Sequence, residues 1–162
     1  MWARMCKGGT PVVKLAEALQ ERADLNRRIQ QLQQRLSNNA VIQEGEQPAE
    51  DPAELLVQLD GCVSQLETLI ARINLTNCRT QVEGKTLTEH LARRDALKQK
   101  LSVYRDLAQS ASQLGHRGMR SEIKWLSAVD VRKLQKQVDE LAKELRLLDN
   151  SIQAANWDTE LS

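Results

Sequence analysis

The sequence predicts an all-α protein, an elongated antiparallel four-helix bundle of coiled-coil type with one or two very short β-ribbon segments in its connections. Apolar residues recur at alternating intervals of three and four along four long stretches, which places them on one face of each helix. Aromatic residues make up only 2% of the chain and phenylalanine is absent, so the core must be aliphatic, as it is between packed helices. Short connections after the second and third stretches favour antiparallel neighbours.

The first helix is expected to begin after a candidate cap and first-turn proline at Thr10-Pro11 and to end at Asn38-Asn39. The next segment, 38-NNAVIQEGEQPAEDP-52, contains a glycine, two prolines and several carboxylates but no helical apolar period. It is therefore predicted to connect two helices. The predicted core stripe of the first helix is Leu15, Ala18, Arg22, Leu25, Ile29, Leu32 and Leu36.

The second helix is predicted to begin at Asp51-Pro52, because Asp51 can accept a first-turn amide and Pro52 has no amide to leave unpaired. Gly61 lowers helix propensity by about 1 kcal/mol, and we expect a close approach of a neighbouring helix to compensate. The segment 74-NLTNCR-79 is predicted to be the turn that follows. The core stripe is Leu55, Leu59, Cys62, Leu66, Leu69 and Ile73, which makes Cys62 a small core residue rather than a nucleophile.

The third helix is preceded by 79-RTQVEGKTL-87, where strand-forming residues on both sides of Glu83-Gly84 predict a small hairpin-like turn. Thr86 and Glu89 match a capping box, which marks the start of the helix. Gly115 and Gly118 are predicted to close it. The apolar residues of this helix are Leu87, Leu91, Leu97, Leu101, Tyr104, Ala108, Ala111 and Leu114.

The fourth helix has the most regular apolar seam of the chain. The segment before it, 121-SEIKWLS-127, alternates apolar and polar residues and predicts a short strand. Ser127 and Asp130 supply the predicted N-cap, and Asn156-Trp157-Asp158 ends the helix. Asp139 and Lys143 are spaced for a favourable i,i+4 pair. The seam is Val131, Leu134, Val138, Leu141, Leu145, Leu148, Ile152 and Ala155.

One candidate partner surface combines two connections. Antiparallel order places the acidic loop with Glu44 and Glu46 at the same end of the bundle as the basic segment with Arg117, Arg120 and Lys124. We expect these two pieces to meet, as a two-stranded ribbon with acid–base contacts that would orient this end of the bundle. The alternative is a pair of solvated connectors.

A second candidate surface lies at the opposite end of the predicted bundle. Asn74, Asn77, Arg79 and Trp157 would be neighbours there and could line a ligand site. Capping of helix ends by the two asparagines is the simpler interpretation, because short amide side chains satisfy terminal backbone groups.

The sequence shows no catalytic site, cofactor motif or metal site, and we expect the protein not to be an enzyme. The three cysteines, Cys6, Cys62 and Cys78, and the two histidines, His90 and His116, lack the spacing of a zinc site. A net charge of +1 disfavours nucleic-acid binding by phosphate attraction. No apolar run approaches the roughly 20 residues that span a bilayer. The odd number of thiols favours the cytoplasm.

The chain resembles a family of small, uncharacterised bacterial proteins often called septicolysin. The resemblance runs from about Val13 to Leu161 and implies a helix-rich bundle with no established reaction and no agreed catalytic residues. It also implies that Val13 is the native start and that the residues before it are an upstream extension. We expect residues 1–13 to be non-structural and residues 14–162 to form a single helical-bundle domain. The resemblance rests on 14-KLAEALQERADLNRRIQQL-32, NNAVIQEGEQPAEDP, 72-RINLTN-77, 121-SEIKWLSAVDVRKLQKQVDELAKEL-145 and 152-IQAANWDTEL-161.

These observations favour a self-associating structural or interaction protein, with a symmetric dimer as the expected homo-oligomer. Leu147, next to Leu148, widens the apolar face of the fourth helix beyond what a two-helix contact needs. One alternative is a membrane-acting cytolysin, as the septicolysin name implies, although no segment has the length or pattern to insert. The other is a helical-hairpin RNA-binding module, which the balanced charge and the scarcity of stacking aromatics disfavour.

Overall fold

The computed structural model describes residues 13–113 and 126–162. In this part of the chain there are four α-helices and one two-stranded antiparallel sheet, which confirms the predicted all-α fold with a very short β-ribbon in a connection. The elements are α1 (Leu15–Asn38), α2 (Pro52–Arg79), β1 (Gln81–Val82), β2 (Lys85–Thr86), α3 (Leu87–Ser112) and α4 (Val131–Asp158).

The fold divides into two compact units. The first runs to Thr80 and includes Ala155–Ser162, and the second comprises Gln81–Ala154. In the first unit α1 and α2 form an antiparallel hairpin whose facing stripes are buried, as the apolar spacing predicts. Its buried side chains include Leu15, Ala18, Leu25, Leu32, Leu55, Cys62, Leu69 and Ile73.

The start of α1 differs from the prediction, because the N-cap residue is Lys14 and not Thr10-Pro11. The Lys14 backbone N–H donates to the Glu17 carboxylate at 2.8 Å, and the Leu15 N–H donates to the Thr159 carbonyl at 2.9 Å. The first amides of the helix are thus satisfied by a residue of the helix itself and by a segment about 145 residues away in sequence.

The start of α2 is as predicted. The Asp51 side chain accepts the Ala53 backbone N–H at 2.8 Å, and Pro52 occupies the first helical position. The predicted close helix approach at Gly61 is wrong, because a Cβ atom built there would have no heavy atom within 4 Å. The turn predicted at 74–79 is also wrong, since α2 continues to Arg79.

The hairpin between α2 and α3 is confirmed. Gln81 pairs with Thr86 and Val82 with Lys85, so Glu83 and Gly84 are the two loop residues. Both have positive φ, 50° and 79°, as the two central residues of a type I′ turn require.

The capping box at the start of α3 is confirmed. The Thr86 hydroxyl accepts the Glu89 N–H at 3.2 Å, and the Glu89 carboxylate accepts the Thr86 N–H at 2.7 Å. The Thr86 hydroxyl also donates to the Glu89 carboxylate at 2.9 Å. The bond from the Thr86 backbone N–H first, and this hydroxyl bond second, hold the pKa of Glu89 below its ordinary value. Further along, α3 packs on α4 through Leu101, Val138 and Leu141, which lie on the predicted stripes.

The predicted N-cap of α4 is confirmed, because Asp130 accepts the Lys133 backbone N–H at 3.0 Å. Asp139 accepts from Gln135 at 3.3 Å rather than from Lys143, so the predicted ion pair is wrong. The helix ends at Asp158, as expected. Gly115, Gly118 and the predicted strand at 121–127 lie outside the described residues, apart from Leu126 and Ser127, which are irregular.

Candidate functional site

The predicted acidic surface in the α1–α2 loop is exposed to solvent. Glu44 and Glu46 lie on a turn in which the Glu46 N–H donates to the Gln43 carbonyl at 3.0 Å, and Gly45 has a φ of +90°. Val41, three residues before Glu44, is exposed as well. The two carboxylates therefore project from a loop without a described side-chain partner, as ordinary solvated groups.

The base of this loop is held by a network that the sequence did not reveal. Arg35 donates from Nε to Glu50 Oε2 at 2.9 Å and from its terminal nitrogen to Glu50 Oε1, a two-pronged ion pair. The buried Asn39 donates to the Arg35 carbonyl at 2.9 Å and accepts the Glu50 N–H at 3.0 Å. The guanidinium of Arg35 holds the pKa of Glu50 below its ordinary value, and that carboxylate raises the pKa of Arg35.

The basic half of this predicted surface consists of Arg117, Arg120 and Lys124, which lie outside the described residues. The expected ribbon between the 38–52 loop and the 115–127 segment therefore stays a prediction.

The second predicted surface lies on helices rather than on a turn. Asn74 and Arg79 are exposed and Asn77 is half-buried on the last turns of α2, and Trp157 is exposed on the last turn of α4. Within the described ranges, no hydrogen bond or ion pair joins Trp157 to any of these three residues. Asn74 is inside the helix, so it does not cap the end of α2 as expected.

The end of α2 is instead bound by the segment that follows α4. Thr76, only 2% exposed, donates its hydroxyl to the Arg72 carbonyl at 2.9 Å and accepts the Ser162 N–H at 3.0 Å. The Arg72 guanidinium donates to the Ser162 carbonyl at 3.0 Å. These contacts join the last turns of α2 to Ser162, and the helix continues through the segment in which the sequence favoured a turn.

His90 is a buried polar residue of α3, 5% exposed. Its Nε2 lies 2.9 Å from the Val82 carbonyl, an acceptor, so Nε2 carries the proton. Its Nδ1 is buried and has no hydrogen-bond partner among the described residues. The ring therefore joins β1 to the first turn of α3, a role that no periodic pattern in the sequence indicates.

A polar groove of about 410 Å³ opens between α1 and α2. The groove exists because Gly61 has no side chain and its neighbour Cys62 has a small one. The described residues that line the groove include two arginines and three glutamines but no carboxylate: Arg28, Gln31, Leu32, Arg35, Gln58, Gly61, Cys62 and Gln65.

An apolar stripe lies on the other flank of α2. Leu56, Val63 and Ile70 are 49%, 47% and 37% exposed, and they repeat every seven residues. At 100° per residue they point about 100° to one side of the buried row that begins at Leu55. Gln58 and Gln65 of the groove point about 60° to the other side. The groove and the α2 stripe (Leu56, Val63 and Ile70) are therefore separate surfaces.

The described residues contain no group of three or more His, Cys, Asp or Glu side chains that could hold a metal ion. Of the cysteines in this part of the chain, Cys62 is buried, as predicted from its position in the stripe, and Cys78 is exposed. No helix in the same ranges has the length and hydropathy that are needed to cross a membrane.

Comparisons with known proteins extend this description. Residues 22–161 match a family of unknown function, DUF6847. The chain is also 44% identical to a protein from Corynebacterium diphtheriae whose crystal structure is described as that of a functionally unknown conserved protein. That match covers 93% of this chain and 99% of the other, with a TM-score of 0.89. No functionally curated protein matches the chain.

Proposed function

Because the chain belongs to the DUF6847 family of unknown function, we propose its function from its own surfaces: it is a non-enzymatic interaction protein that self-associates through the α2 stripe. The observation that carries this proposal is the exposure of Leu56, Val63 and Ile70 at a strict seven-residue interval. A helix face that contacts only water does not need a straight row of three large apolar residues. The row is about 21 Å long, at 1.5 Å per residue over 14 residues.

A second copy of the same helix is the simplest occupant of this row. In an antiparallel pair centred on Val63, Leu56 of each copy would face Ile70 of the other, so the surface complements itself. The half-buried Leu59 and Leu66 border the row on the side toward α1. Together with the row they give apolar residues at alternating intervals of three and four, the spacing of a coiled-coil contact. A net charge of +1 opposes such a contact only weakly.

The α4 face remains a weaker alternative for self-association. Leu147 is 56% exposed while its neighbour Leu148 is buried, so the widened apolar face reaches solvent at this position. It is a single residue, because the positions seven before and after it are Glu140 and Ala154. The α2 stripe offers three aligned side chains and therefore supports the proposal better.

The proposal predicts that Val63→Glu abolishes self-association, because dimer formation would bury an unpaired charge. Mass would be measured by light scattering after size exclusion, with circular dichroism as the check on folding. The wild-type protein should be a dimer and the variant a helical monomer. The mass of Leu147→Glu should stay that of the dimer.

The matched control is Val57→Glu, which makes the same change on the same helix. Val57 is 73% exposed but lies outside the row. The Val57→Glu variant should therefore remain a dimer. A wild-type monomer at all concentrations, or equal losses in the two valine variants, would contradict self-association through this stripe.

The proposal places the protein in the cytoplasm, where Cys62 and Cys78 would remain reduced. It assigns no reaction, since the chain brings no nucleophile and base together in the sequence patterns or in the described contacts.

A further inference from the structure

The polar groove between α1 and α2 has the composition of an anion-binding surface. Acidic and basic residues are nearly equal in number in the whole chain, 22 and 23. Two guanidinium groups, Arg28 and Arg35, nevertheless line the groove with no carboxylate among its described lining residues. Three glutamine amides supply the other polar groups, and each amide can both donate and accept a hydrogen bond.

The groove continues along the hairpin as a second depression of about 290 Å³, which shares Gln65 with the first. Arg72 lines this continuation, and Glu21 is its one described carboxylate. The polar residues of this channel repeat every seven residues along both helices of the antiparallel hairpin. They are Arg35, Arg28 and Glu21 along α1, and Gln58, Gln65 and Arg72 along α2. Polar side chains therefore recur at about 10.5 Å intervals along an open channel.

One end of the groove already shows how it binds a carboxylate. Arg35 holds Glu50 through both carboxylate oxygens, the geometry that guanidinium groups favour. Arg28 lies two helical turns away in the same groove. It forms no hydrogen bond or ion pair with another described residue, whereas the adjacent Arg27 is paired with Asp24.

We propose that this groove binds an extended acidic peptide segment of a partner protein, with Arg28 as the main carboxylate-binding residue. An extended chain advances about 3.4 Å per residue, so acidic side chains two or four residues apart span about 7 or 14 Å. Because Arg35 already binds Glu50, one such side chain would bind Arg28 while the others extend along the channel. Gln31, Gln58 and Gln65 supply the donors and acceptors that a peptide backbone needs along the channel. The site is independent of the α2 stripe.

The test is fluorescence anisotropy with a fluorescein-labelled octaglutamate peptide, titrated with the full chain at about 0.1 M salt, where charges more than about 10 Å apart are largely screened. Arg28→Glu should weaken binding by at least about tenfold, because it replaces a charge-assisted hydrogen bond with repulsion. Gly61→Leu should weaken binding as well, since its Cβ meets open space and its side chain would fill the groove. Both variants should keep the helix content and the solution mass of the wild-type protein.

Arg27→Glu is the matched control, because it changes the net charge equally on a neighbouring exposed residue outside the groove. It should bind octaglutamate within about twofold of wild type at a salt concentration that screens distant charges. Equal losses in the two arginine variants, or no binding by the wild type, would overturn the proposal. If the chain binds oligouridylate but not octaglutamate, and Arg28→Glu weakens that binding, the groove is an RNA site and the proposal is overturned. Loss of the dimer in Val63→Glu should leave peptide binding unchanged, so the two proposals fail separately.

Discussion

Arg35 has two roles at the scale of a single residue. It lines the polar groove, and it binds Glu50 at the point where the α1–α2 loop returns to the helices. Asn39 supports the same closure through the carbonyl of Arg35 and the N–H of Glu50. The loop therefore remains ordered at its base, while its tip with Glu44 and Glu46 projects into solvent.

The Arg35–Glu50 pair should make stability depend on pH. The pKa of Glu50 is lower in the folded protein than its ordinary value of 4.5, because Arg35 hydrogen-bonds the charged form. Its contribution is thus fully present well above pH 4.5 and is lost as pH falls through 4.5 toward the folded-state pKa. Glu50→Gln should lower Tm at pH 7, and its difference from wild type should shrink steadily toward pH 3.

Thermal melts of both proteins between pH 7 and 3 would measure this effect. Glu44→Gln is the control, since Glu44 is exposed and has no described ionic partner. Its Tm should follow that of the wild type at every pH. An undiminished difference between Glu50→Gln and wild type at pH 3 would show that the ion pair is not the cause.

At the scale of elements, local patterns predicted the helices well and their ends less well. The buried stripes, the Asp51 and Asp130 caps and the hairpin at Glu83-Gly84 depend on residues at most five apart, so the sequence alone indicates them. The start of α1 and the end of α2 depend on the segment after α4. Those contacts are separated by 86 or more residues, and they override local turn and cap preferences.

Replacement by alanine should have opposite effects on stability at two glycines, Gly61 in α2 and Gly84 in the β-hairpin. Gly61→Ala should stabilise the protein by about 1 kcal/mol, because alanine favours the helix and the added Cβ meets nothing within 4 Å. Gly84→Ala should destabilise it by about 1 kcal/mol, because φ at this turn position is +79°. Urea unfolding of the three proteins would measure both changes. A destabilised Gly61→Ala would mean that α2 needs flexibility or closer packing there.

At the scale of the whole molecule, the proposed dimer should respond to salt. Asp60 and Glu67 follow Leu56 and Val63 by four residues, so they flank the α2 stripe. In an antiparallel pair, Asp60 of one copy would lie near Glu67 of the other, and this repulsion is screened by salt. Dimerisation should therefore tighten several-fold between about 20 and 300 mM NaCl.

Sedimentation equilibrium at several salt concentrations would test this response. Asp60→Lys should tighten the dimer at low salt and reverse its salt dependence, while Asp106→Lys makes the same charge change on α3, outside the stripe. A dimer that weakens with salt in the wild type would exclude the antiparallel arrangement about Val63.

The whole fold could be predicted from sequence more completely than the candidate site. Seven-residue repetition and aliphatic composition determine an all-α arrangement, and they need no knowledge of long-range contacts. The groove depends on which residues of α1 lie opposite which residues of α2, and local patterns do not give this pairing. It also depends on the absence of a side chain at Gly61, where the sequence predicted a close helix contact instead. Arg28 is one of several similar arginines in α1. The relationship to septicolysin stays a prediction.

The return of residues 155–162 to the first unit has a consequence for biosynthesis. The ribosome makes the entire second unit after α2 and before the segment that covers Thr76 and extends along Val13–Leu15. At ~5–20 residues per second this delay lasts on the order of several seconds. During that interval the ends of the nascent α1–α2 hairpin lack their final hydrogen bonds. The hairpin therefore completes its contacts only after residues 155–162 have been synthesised.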